Sequence, residues 1–181
     1  MSDIRFHGAA LALAQLPVDL SLAEKVHERE RACGFRFPAS IVEWYSLRGS
    51  VEALEATRYG NADRGGWIVP LSQLGERDPQ DPEVPYLGYI NLYRAGEGDF
   101  SIYALLDGSE DPPVYVDSSY YDSDGVLVPD MFRFKETFSE FVRNWIASSL
   151  AEQERDALVP PDTSEPPDAP EGEDGPGDPS R

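Results

Sequence analysis

Residues 98–125 read GDFSIYALLDGSEDPPVYVDSSYYDSDG, a stretch of 28 residues with seven Asp or Glu side chains and no Lys or Arg. Phe100, Ile102 and Ala104 alternate with Ser101, Tyr103 and Leu105, the period-two pattern of a strand with one buried face. A second run, PVYVD at 113–117, follows a cluster of Asp, Gly, Ser and Pro. Two β-rich runs joined by turn formers predict an antiparallel hairpin, which places the carboxylates mostly in the turns, at 107–111 and 117–124.

The same texture continues on both sides. WIVPL (67–71), YLGYINLY (86–93) and GVLV (125–128) are short β-branched or aromatic runs separated by Gly, Pro, Asp and Asn. Their connections are too short for strand-helix-strand units, so antiparallel pairing is expected. Flanking this β region are helical patterns. DLSLAEKVHERERACGF (19–35) has Ser21 and Glu24 at capping-box spacing, Leu22, Val26 and Cys33 on one face, and Gly34 as a stop. In FPASIVEWYSLRG (37–49), Ile41, Trp44 and Tyr45 form an apolar stripe after Pro38 and before Gly49. IRFHGAALALAQL (4–16) predicts a further helix. The closing segment FKETFSEFVRNWIASSL (134–150) repeats Phe134, Phe138, Phe141, Val142, Trp145 and Ile146 at helical spacing. All three tryptophans, Trp44, Trp67 and Trp145, are expected in the core.

The predicted class is therefore α+β: one domain over 1–158, its antiparallel or mixed sheet packed against helices from both ends of the chain. Residues 159–181 contain seven prolines and no aromatic side chain and are expected to form a disordered acidic tail.

Charge narrows the range of partners. Of the formal net charge of -19, residues 76–131 contribute 13 acids against 2 bases, and the tail 7 against 1. Such a chain repels nucleic-acid phosphates and anionic membranes and attracts cationic proteins. A single cysteine, Cys33, excludes an internal disulfide, and no apolar run reaches membrane-spanning length. A cytoplasmic protein is expected.

Motifs of catalysis are sparse. There is no G-x-S-x-G or H-E-x-x-H, and the two histidines are His7 and His27, the latter read as a surface residue among Glu28 and Glu30. Cys33, beside an apolar helix face, reads as a small buried hydrophobe. YYDSDG fails as a calcium loop: with Gly125 at the sixth position, Tyr120 and Met131 occupy the first and twelfth, where carboxylates are needed. A cation site built from Asp117, Asp122 and Asp124 is the weaker alternative. No catalytic residue, metal or cofactor is expected.

Four stretches, taken in order, resemble the SUKH superfamily of Smi/Knr-type domains, common among bacterial immunity proteins: ERACGFRFPASIVEWYSLRGS, WIVPLSQLGE, GDFSIYALLDGSEDPPVYVD and FKETFSEFVRNWI. The first is similar to that family's Gly-x-x-x-Pro helix pair, the third to its acidic hairpin and Pro-Val-Tyr strand, the last to its closing helix. The chain departs from the pattern at LRGS and in the insertion ERDPQDPEVPY. The resemblance implies a non-catalytic module that neutralises a toxin, with a basic toxin domain as partner.

The residue reading, taken by itself, reaches an acidic protein-binding surface: Asp99, Asp107, Glu110, Asp111, Asp117, Asp122 and Asp124, with Tyr120 and Tyr121 as anchors. Two rival uses are a regulatory or scaffold role toward a housekeeping partner, and a hydrolase with a carboxylate pair. The bland reading of the same acids is that they form turns, where Asp is favoured in any case. Turn chemistry does not account for the missing cations.

Overall fold

The computed structural model describes residues 4–57, 66–76, 88–95 and 100–158. The expected tail at 159–181 and the candidate Asp99 lie outside these residues. In chain order the elements are helices α1 (Gly8–Leu13), α2 (Ala23–Cys33), α3 (Ala39–Ser46) and α4 (Ser50–Glu55), strands β1 (Gly66–Ile68), β2 (Tyr89–Ala95), β3 (Ser101–Leu105), β4 (Val114–Asp117), β5 (Tyr120–Tyr121), β6 (Leu127–Val128) and β7 (Met131–Lys135), and helix α5 (Phe138–Leu158).

Strands β1-β2-β3-β4-β7 form one five-stranded sheet in that order. All neighbours are antiparallel, so the chain is α+β and the mixed alternative does not apply to these strands. The expected hairpin forms, pairing Ile102 with Val116 and Ala104 with Val114. Ile102, Ala104 and Val114 are buried and face the helices. They join Ile68, Ile90, Ile41, Trp44, Leu54, Phe138, Phe141, Val142 and Ile146 in one core. Burying a side chain of this size stabilises the fold by about 2 kcal/mol before entropy is counted. Helices from both ends of the chain meet over it: α1, α3 and α4 each pack on α5, and α4 and α5 on the sheet. No described helix is long and apolar enough to cross a membrane.

Three local expectations require correction. Ser21 does not cap α2: its N–H donates to Asp19 and its hydroxyl accepts from Arg48, while the helix begins after Leu22. The stop at Gly34 does hold, in the left-handed conformation (φ 77°). Phe134 belongs to β7, and α5 starts at Phe138. There Thr137 accepts the Glu140 N–H, a cap that was not read from the spacing of the phenylalanines. Trp67 is 40% exposed, because strand alternation turns Gly66 and Ile68 inward and Trp67 outward, opposite Arg94. Gly66 has no room to be anything else: a Cβ there would lie 1.8 Å from the Tyr93 hydroxyl oxygen. Finally, α4 had no counterpart in the sequence reading.

A candidate acidic docking surface

β4 and β7 are partners in the sheet, with Asp117 opposite Met131. The 13 residues between those two ends, 118–130, therefore form a single excursion from one end of the sheet. The excursion folds on itself as the β5–β6 hairpin, pairing Tyr120 with Val128 and Tyr121 with Leu127. Its turns are built by its own acids. Asp122 accepts the N–H groups of Asp124 and Val126 through Oδ1, and Gly125 takes the left-handed conformation (φ 74°) beside them. Asp117 accepts from the Ser119 N–H at 3.0 Å, and Asp130 from the Ser118 hydroxyl at 2.7 Å. These bonds fix the loop.

What the excursion presents outward is apolar area among negative charges. Tyr120 is 57% exposed and Val126 59%. Asp124 and Asp130 are exposed as well. No Lys or Arg occurs between Arg94 and Arg133. Asp117, Tyr120, Asp122 and Asp124 are thus brought together, and Tyr121 belongs to the same hairpin. Val126 and Asp130 join them, although the sequence reading did not single them out; a β-branched residue immediately after a turn glycine was the available signal.

The other predicted acids lie elsewhere. Asp107, Glu110 and Asp111 sit in the β3–β4 turn, at the opposite end of β4, which is about 10 Å long. The single acidic side expected from the hairpin is therefore split into two clusters. The second cluster is also spoken for. Glu110 forms a two-pronged pair with Arg5, at 2.9 and 2.6 Å, and that bond first, then its charge, holds the Glu110 carboxyl below the usual range. Asp111 accepts the Ser139 N–H at 3.0 Å and the Ser139 hydroxyl, so it holds the start of α5. The Asp107 carboxyl is lowered chiefly by the Ser109 N–H, a turn bond. Arg5 is 105 residues from Glu110, and nothing local in the sequence announces that contact.

Among the described residues, no three His, Cys, Asp or Glu side chains gather to hold a metal ion. Cys33 is half-buried near the Leu74 carbonyl, and burial pushes its thiol up, away from the thiolate a nucleophile needs. His27 lies at the surface as expected, its side chain 42% exposed, but it is held there: Nδ1 lies 2.7 Å from Glu30, whose carboxylate is only 5% exposed and also accepts the Phe37 N–H. That buried glutamate ties the end of α2 to the approach to α3. Near it opens a cleft of about 470 Å³ lined by Leu20, Phe37, Val42, Arg5 and Arg36.

Comparison with protein-family models, with curated proteins and with solved structures finds no match to this chain.

Proposed function

We propose that the protein is a non-catalytic binding module of the SUKH immunity type, which holds a cationic toxin domain against the β5–β6 excursion. The carrying observation is the composition of that excursion: Tyr120 and Val126 stand exposed among Asp117, Asp122, Asp124 and Asp130, with no cation in the surrounding segment. Exposed aromatic and branched side chains provide contact area that slows dissociation, and the carboxylates around them steer a basic partner during encounter. The succession of N-terminal helices, antiparallel strands and closing helix agrees with the order that the SUKH resemblance implies.

Co-purification from the native host, with identification of the retained protein, supplies the partner for the test. The triple variant Asp122→Asn, Asp124→Asn, Asp130→Asn removes three charges while each Asn keeps an oxygen able to accept the turn bonds. Association at low salt should slow by about tenfold, and its dependence on salt should flatten. Unchanged association kinetics would remove the excursion as the docking surface. A retained housekeeping protein in place of a toxin would overturn the immunity role.

A further inference from the structure

Among the described residues, the sheet ends in an open edge at β7. β7 is its last strand, and the pairing fixes which of its peptide groups face away from β4. Ser118 N–H donates to the Asp130 carbonyl at 2.9 Å. Antiparallel pairs alternate between bonded and non-bonded, so Val116 and Phe132 form the next bonded pair and the N–H and C=O of Met131 and Arg133 point outward. Beyond that point the register shifts between Val114 and Tyr115, and the irregularity limits the regular edge to Met131–Arg133. Beside the open edge lie two half-exposed rings on the helix-covered side, Phe132 (48%) and Phe134 (43%). Phe134 leans on Phe141, and the Lys135 ammonium lies 5.2 Å from the Phe134 ring centre.

We infer that this edge pairs with the same edge of a second copy, making a two-fold dimer with a continuous antiparallel sheet. Only one short register lets all the outward groups meet: Met131 opposite Arg133 of the second copy, and the reverse, with the two Phe132 residues facing each other at the axis. This arrangement forms four backbone hydrogen bonds. It puts the Phe132 rings in a non-bonded pair, where strands bring Cα atoms to about 4.5 Å. Charge agrees with it. Asp130 falls opposite Phe134 of the second copy, beside that copy's Lys135, so the acidic end of each strand meets the basic end of the other. A third strand feature fits too: the Arg133 side chain is already held by Glu136 at 2.7 Å, which reduces repulsion between the two arginines near the axis. The contact is small by the standard of permanent interfaces, so dimerisation belongs to the micromolar range. Its paired backbone groups and its rings lie outside the acidic excursion, with which it shares Asp130 alone.

Sedimentation velocity on the full chain, from low micromolar to submillimolar concentration, should show the mass rising from 20.1 kDa toward twice that value. Phe132→Glu places two carboxylates at the axis and should hold the protein monomeric at every concentration, with its circular dichroism unchanged because residue 132 is half-exposed. In a Cys33→Ser background, Phe132→Cys should cross-link to itself on mild oxidation far faster than Phe134→Cys, since only position 132 meets its own copy. A wild type that stays monomeric across the range overturns the inference, as does equal cross-linking at the two positions.

Discussion

His7 shows how one side chain joins the N-terminal segment to the core. It is fully buried, with its ring 5.0 Å from that of Trp44 and 5.5 Å from that of Phe138, and its Nε2–H donates to the Ser40 carbonyl at 2.8 Å. Burial depresses its affinity for a proton, outweighing the Ser40 carbonyl, Glu43 and Asp111, which pull the other way. The imidazole is therefore neutral in the fold, whereas in the unfolded chain it protonates near the usual value of about 6.5. Acid then favours the unfolded chain, and stability falls as pH drops through and below that value, until the buried imidazole itself takes up a proton. Denaturant unfolding between pH 5 and 7.5 should show this fall in the wild type and lose most of it in His7→Phe. An identical slope in both proteins would mean that another group titrates there.

At the scale of elements, the start of α5 is the joint on which the two halves of the fold meet. Thr137 accepts the Glu140 N–H, and Asp111, from the β3–β4 turn, accepts the Ser139 N–H. Asp111 therefore ties the hairpin to the closing helix, a different task from the docking role expected of it. Asp111→Ala should lower stability by about 1–2 kcal/mol, the range for losing a helix cap, and Asp111→Asn by less because its oxygen can still accept the N–H. Equilibrium unfolding of the two variants checks the order. The same pair, measured for partner association, should leave the rate unaltered.

The whole molecule carries a formal charge of -19, which the fold compensates only in places. Arg5, Arg29, Arg31, Arg48 and Arg133 each pair with a carboxylate, so much of the positive charge is already answered within the fold. Exposed pairs of this kind contribute little each and weaken with salt. Repulsion among the acids of the excursion is screened by the same salt. With so large an excess of one sign, relief of repulsion should dominate: Tm is expected to rise as NaCl goes from a few millimolar to about 0.15 M. A falling Tm over that range would show that the ion pairs matter more than the net charge.

Much of the architecture was legible in local pattern, because period-two and helical spacings report which face of an element meets apolar surroundings. Alternation groups Ile102 and Ala104 on one face, which burial shows to be the inner one, and the stripe of Ile41, Trp44 and Tyr45 is buried as its spacing implies. Phe134 was misplaced because its spacing to Phe138 and Phe141 suits a helix, while the cap that ends the strand depends partly on Asp111, 26 residues earlier. Trp67 was misplaced because three residues carry too short a pattern to tell which face is covered.

The candidate surface followed the same division. The sequence by itself determined that acids and aromatics would cluster without cations, and that Asp would form the turns. Only the tertiary structure decided which acids share a surface, since β4 separates the two turn clusters and Arg5 reaches Glu110 from the far end of the chain. Charge and periodicity are properties of neighbours along the chain; neutralisation and burial are properties of neighbours in space, and only folding makes those.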